Sequence, residues 1–179
     1  MNSDHGCVIW LTGISGAGKS TIAAAVMSAL QHKGYSVFPI DGDDLRGGLS
    51  NDLGFAEADR IENMRRAAEV AQMASTCGLV TVVSLISPSA KGRQMVRELV
   101  RHGRFIQVYV NTPLEVAEAR DVKGLYKKAR AGLIKNFTAV GSNYESPTDS
   151  EITIETTQLP PDAAAQEILS FLMAKGWLR

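Results

Sequence analysis

Residues Gly13-Ile14-Ser15-Gly16-Ala17-Gly18-Lys19-Ser20 constrain this chain more than any other stretch. They fit the pattern G-x-x-x-x-G-K-[ST], and their surroundings fit as well. An unbroken apolar run at 8–12 reads as a buried strand, and 19–33 reads as a helix ending near Gly34. A glycine-rich turn between strand and helix lets backbone N–H groups close around phosphate oxygens without a Cβ in the way. The helix N-terminus adds the positive end of its dipole. Lys19 offers charge to the β- and γ-phosphates, and the Ser20 hydroxyl offers a ligand to Mg²⁺. The motif therefore predicts ATP chemistry, with Gly13, Ser15, Gly16, Ala17, Gly18, Lys19, Ser20 and Thr21 around the triphosphate. No Asn-Lys-x-Asp guanine-reading run occurs in the chain, which favours ATP over GTP.

The remaining pattern supplies a sheet for this loop. Apolar, β-branched runs at 36–40, 79–86, 105–110 and 151–156 read as strands, with 79–86 central and Val37, Phe38 and Ile40 buried. Helical spacing covers 57–77, the stretch from Pro88 to about 102, a segment opening at Pro113, and 161–175. Strands alternating with helices predict an α/β chain: a three-layer P-loop NTPase fold with a parallel sheet of about five strands flanked by helices. Residues 1–179 read as a single domain. Residues 121–150, rich in Lys, Arg, Gly, Ser and Asn, break the rhythm. They predict a short helix and a mobile lid at about 121–145.

Charge narrows the partners. Lys plus Arg and Asp plus Glu each number 19, for a formal net charge of zero. That argues against binding nucleic acid or a membrane surface through bulk charge. No apolar run reaches the length of a membrane span and no leader pattern opens the chain. Cys7 and Cys77 form no metal spacing and are expected as reduced, packed thiols, so a cytoplasmic location is expected. His5, His32 and His102 likewise show no ligand spacing.

The second strand runs into Asp41-Gly42-Asp43-Asp44-Leu45-Arg46. Strand ends of an open α/β sheet line the ligand crevice, so these carboxylates are expected to face the phosphate loop. One can serve Mg²⁺-bound water and another an acceptor hydroxyl. Further on, Arg46, Arg60 and Asn63 are groups suited to an anion, because a guanidinium fork matches phosphate or sulfate oxygens. Arg65 and Arg66 could equally be solvated helix charges.

These residues also carry a family pattern. Asp41 to Arg46, Asp52-Leu53-Gly54-Phe55, Asp59-Arg60, Glu62-Asn63, Ile86-Ser87-Pro88 and Thr112-Pro113-Leu114-Glu115-Val116 belong to it. So do Glu118-Ala119-Arg120-Asp121, the run from Lys123 to Gly132, and Phe137-Thr138. Together they resemble the adenylylsulfate kinases over residues 8–156, nearly the whole chain. The resemblance implies transfer of the ATP γ-phosphoryl to the 3′-hydroxyl of adenosine 5′-phosphosulfate (APS). It implies Asp41 near Mg²⁺ with Ser20, and Asp43 as the base. It implies Arg46, Arg60 and Asn63 on the phosphosulfate, and Phe55 and Phe137 on either side of the APS adenine. Ile86 and Ser87 are implied to contact APS through their backbone, Lys123 to act near the transferring phosphate, Leu125 to border the acceptor, and Arg120 to lie on the ATP adenine. A homodimer is implied as well. Family descriptions give the Ser87 position a phosphoserine role. No base adjoins it in sequence, and a phosphate loop supports direct transfer.

Two stretches depart from the pattern. The family's Tyr-Arg-x-Asp-Arg after Ile-Ser-Pro is Ser89-Ala90-Lys91-Gly92-Arg93 here, and its Phe-Thr-Gly-Ile-Asp is Phe137-Thr138-Ala139-Val140-Gly141. Both lie on the acceptor side. The alternative reading is a kinase of the same architecture acting on another nucleotide-like molecule with an anionic 5′-group.

Overall fold

The computed structural model describes residues 6–101, 103–134 and 137–178, so His5 and His102 lie outside it. Five parallel strands form the sheet: β1 Val8–Thr12, β2 Val37–Asp41, β3 Val80–Ser84, β4 Phe105–Asn111 and β5 Ile152–Glu155. Their order is β2-β3-β1-β4-β5. β1 is central, with Val8 beside Thr81 of β3 and Phe105 of β4. Every residue of β1 and β3 is buried, as continuous apolar runs require when helices cover both faces. Parallel neighbours need crossovers, and helices supply them.

Helices α1 (Lys19–His32) and α7 (Pro161–Ala174) pack together over one face. Ile9, Leu11, Ile106 and Val108 point into that layer beside Val26, Leu30, Ile168 and Leu172. Helices α3 (Glu57–Thr76) and α4 (Ala90–Leu99) cover the other face around Trp10, Val83, Met64 and Phe105. Fully burying each such side chain contributes about 1.5–3 kcal/mol before the entropy of ordering it. Shorter helices α2 (Gly42–Gly47), α5 (Leu114–Arg120) and α6 (Leu125–Arg130) sit at the carboxyl ends of the strands.

Three expectations need correction. β2 is an edge strand, so only Ile40 is buried; Phe38 is 36% exposed and Val37 half-buried. The segment after β2 forms helix α2. Asp41 caps it, its carboxylate accepting from the Asp43 N–H at 2.9 Å. The helix after Pro88 stops at Leu99, with Val100 leaving helical geometry. Cys7 is buried as expected, but Cys77 is exposed, because it follows the last turn of α3 instead of packing beneath it.

Candidate active site

The phosphate loop joins β1 to α1, and its geometry needs glycine. Gly18 precedes α1 at φ 103°, in the left-handed region that residues with a Cβ avoid. Lys19 is only 9% exposed and folds back over the loop. Its ammonium donates to the carbonyls of Gly13 (2.9 Å) and Ile14 (2.8 Å). Burial pulls its pKa down to about 8, with the Asp41 carboxylate opposing that shift. A polyphosphate would supply the negative charge this ammonium lacks. Ser20 donates to Asp41 Oδ2 at 3.1 Å, which places a hydroxyl and a carboxylate together at the mouth of the loop.

The loop opens into a cleft of about 520 Å³. One wall is the loop itself: Ser15, Gly16, Gly18, Lys19, Ser20 and Thr21. Asp41 and Asp43 form the floor, and Arg46, Phe55, Arg60 and Asn63 the far side. Ile86 and Ser87 edge it from the end of β3, while Lys123, Leu125 and Phe137 close over it. The structure thus gathers most of the residues singled out in the sequence. Gly13, Ala17 and Arg120 are not among the lining residues. The Gly13 amide is turned to the Ile86 carbonyl, 3.4 Å away. Ala17 is fully buried, with its amide bonded to Ile14 and its carbonyl to the Thr112 hydroxyl. Arg120 ends α5 on the exposed surface.

The far side is built to take an anion. Arg46 and Arg60 flank the Phe55 ring, their guanidinium carbons 4.3 and 5.7 Å from its centroid. Arg46 donates to the Gly54 carbonyl (2.8 Å) and Arg60 to the Phe55 carbonyl (2.9 Å), which fixes both forks. Burial lowers both pKa values; Asp59 and Asp43 counter this at Arg46, while Arg46 adds to it at Arg60. Asn63 is 4% exposed, and its amide oxygen has no hydrogen-bond partner among the described residues. A buried amide left unpaired in a cleft costs free energy that a ligand can recover.

Across the cleft, Lys123 pairs with Asp43. That bond holds the Lys123 pKa up. Asp43 therefore stands between the donor loop and the paired arginines, with a cation from the covering segment against it.

Several residues of the family pattern had no individual role assigned from the sequence. Tyr126 of α6 is 1% exposed, and its hydroxyl donates to the Ser15 carbonyl at 2.8 Å, tying α6 to the phosphate loop. Its ring meets Phe137 edge-on at 5.0 Å. Thr138 accepts from Arg60 at 3.0 Å. Arg66 proves structural: it pairs with Asp52 and Glu62 and lies outside the cleft lining. Arg65 pairs with Glu62 and Glu69 on the surface of the same helix. A second groove, of about 620 Å³, lies between the end of β4 and residues 139–146, and among the described residues no charged one lines it. The charged groups suited to a triphosphate line the first cleft instead.

A phosphate loop at the head of a 2-3-1-4-5 parallel sheet, facing a carboxylate and an arginine-lined recess, defines a P-loop kinase. Within that class the assignment is specific. Residues 5–155 match the family model described as adenylylsulphate kinase, and the chain belongs to that family. An adenylyl-sulfate kinase of Escherichia coli (strain K12 / DH10B) is 51% identical over 175 residues, covering 98% of this chain and 87% of that protein. The Mycobacterium tuberculosis APS kinase, solved in complex with AMPPNP and APS, superposes with a TM-score of 0.92 at 42% identity, covering 94% of this chain and 98% of that one. A hexameric APS kinase from Thiobacillus denitrificans has a TM-score of 0.75 at 31% identity over 99% of this chain and 30% of its own.

Proposed function

We propose that the cleft transfers the γ-phosphoryl of ATP to the 3′-hydroxyl of APS, giving ADP and 3′-phospho-APS. One observation carries the reading. A single cleft holds Lys19 of the donor loop, the Asp43 carboxylate, and the Arg46–Phe55–Arg60 recess for an anionic aromatic acceptor.

In this mechanism the loop amides and Lys19 hold the triphosphate. The adenine of APS stacks on Phe55 and Phe137, and Arg46, Arg60 and Asn63 take the phosphosulfate. That leaves the ribose nearest Asp43, whose carboxylate accepts the 3′-hydroxyl proton. Lys123 exchanges its contact with Asp43 for the transferring phosphoryl group. Phosphoryl transfer passes through a loose transition state, so alignment and neutralised charge matter more than a strong base. Ser20 and Asp41 form a hard-oxygen pair fitted to Mg²⁺, an ion that needs only one or two protein ligands beside phosphates and water. When bound, the ion neutralises charge on the phosphates. Transfer is direct: the Ser87 hydroxyl is 2% exposed and already accepts from Trp10.

The departures from the family pattern fall outside the cleft lining. Ser89 caps α4 by accepting from the Gly92 N–H at 3.2 Å, and a Cβ on Gly92 would meet Ser89 and Met64 at about 3 Å. The two substitutions therefore work as a pair. Ala139 keeps φ 71°, the backbone a glycine would take. None of the substituted residues is among those lining the cleft, which favours APS over a different nucleotide. We also propose a cytoplasmic location and a homodimer.

The test is ADP release from MgATP with APS, other adenosine nucleotides and sugar acceptors in parallel. The reading predicts turnover with APS. Turnover with another acceptor and none with APS contradicts it.

A further inference from the structure

Ser87 is held in a conformation it would not choose. It sits at φ 49°, in the left-handed region, and is one of the few non-glycine residues there. The bonds around it explain why it stays. Trp10, fully buried on β1, donates its indole N–H to Ser87 Oγ at 2.9 Å. Arg93 of α4, 4% exposed, donates to the Ser87 carbonyl at 2.9 Å. The neighbouring Ile86 carbonyl accepts from the Thr12 hydroxyl at 2.7 Å, and Thr12 is bonded in turn to the Tyr144 hydroxyl at 2.9 Å.

Trp10 and Thr12 lie on the strand that runs directly into the phosphate loop. The element that fixes the donor loop therefore also fixes the backbone edging the acceptor cleft. We infer that Trp10 is a positioning residue for the acceptor: through Ser87 it holds the Ile86–Ser87 backbone in register with the phosphate loop. This inference rests on the reading that APS lies against that edge. Without the indole bond, Ser87 relaxes toward an ordinary backbone conformation, and the Ile86–Ser87 segment shifts at the edge of the cleft. A displacement of that kind costs alignment of the acceptor at the reacting centre.

The experiment compares wild type, Trp10→Phe, Ser87→Gly and the double variant, each with KM and kcat/KM measured separately for APS and ATP. Trp10→Phe is expected to lower kcat/KM for APS about tenfold, the scale set by a left-handed residue losing its support, with the ATP KM within about twofold. Glycine adopts the left-handed region freely, so the double variant is expected to recover to within about threefold of wild type. Equal loss toward APS and ATP, or a double variant worse than Trp10→Phe, overturns the inference. If Trp10→Phe does not fold, Ser87→Ala removes the acceptor of the same indole bond and leaves Trp10 in place. It should raise the APS KM and not the ATP KM, and an unchanged APS KM then overturns the inference. Wild type inactive with APS overturns the acceptor reading instead, so the two failures are distinct.

Discussion

Asp43→Asn separates chemistry from structure at this site. The side chain is 73% exposed and its partner Lys123 57% exposed. An exposed ion pair contributes at most about 1 kcal/mol, and salt screens it. Asn keeps the shape of Asp and can still accept from Lys123, so the fold should lose almost nothing. Asp41, which caps α2 through the Asp43 backbone N–H, is untouched. The role assigned to the carboxylate is far larger. A positioned general base contributes roughly 10²–10⁴-fold, and a loose transition state favours the lower part of that range. The expected result is kcat reduced about 10²–10³-fold, ATP affinity within about threefold, and a thermal midpoint within about 2 °C of wild type. A coupled ADP-release assay at saturating ATP and APS gives the first value, calorimetry the second and thermal unfolding the third. A kcat within threefold of wild type would remove Asp43 from the base role.

Other consequences follow from single contacts. Tyr126→Phe removes the bond to the Ser15 carbonyl and should cost about 1 kcal/mol, seen as a thermal midpoint lower by about 2–4 °C, together with a raised ATP KM. Ala139→Gly relieves a left-handed alanine at the expense of a more flexible unfolded chain, so denaturant unfolding should show a net gain of about 0.5–1 kcal/mol. Hydrogen bonds from Arg65 and Arg66 hold the Glu62 carboxyl down to about 2, from an ordinary value of 4.5. A depressed carboxyl stabilises the fold above pH 4.5, and that contribution is lost as pH falls through 2. Glu62→Gln should flatten the acid limb of stability in that window, measured by urea unfolding against pH.

The sequence revealed what local pattern can encode. Val8–Thr12 was legible to the residue, because a strand buried on both faces is continuously apolar. The phosphate loop was legible because its motif and context coincide. The burial of β2 was not, because Phe38 looks like any core strand residue until the sheet order puts it at an edge. Helix α2 was hidden by Gly42 at its first position, although the Asp41 cap was there to be read. The supports of the cleft were the least legible. Trp10 meets Ser87 across 77 residues and Tyr126 meets Ser15 across 111, separations at which a single chain carries no pattern. Arg46 and Arg60 looked suited to an anion from residue type alone. Their convergence on Phe55 required the irregular segment at residues 53–56, which no periodicity announces.

The central claim is that one cleft aligns an ATP γ-phosphate with the ribose of APS. The most direct measurement is the structure of the product formed from MgATP and APS, by phosphorus NMR with mass spectrometry. The account predicts one new phosphate ester, on the 3′-oxygen, with the phosphosulfate intact. A phosphate on any other oxygen, or hydrolysis of ATP with APS unchanged, would contradict it.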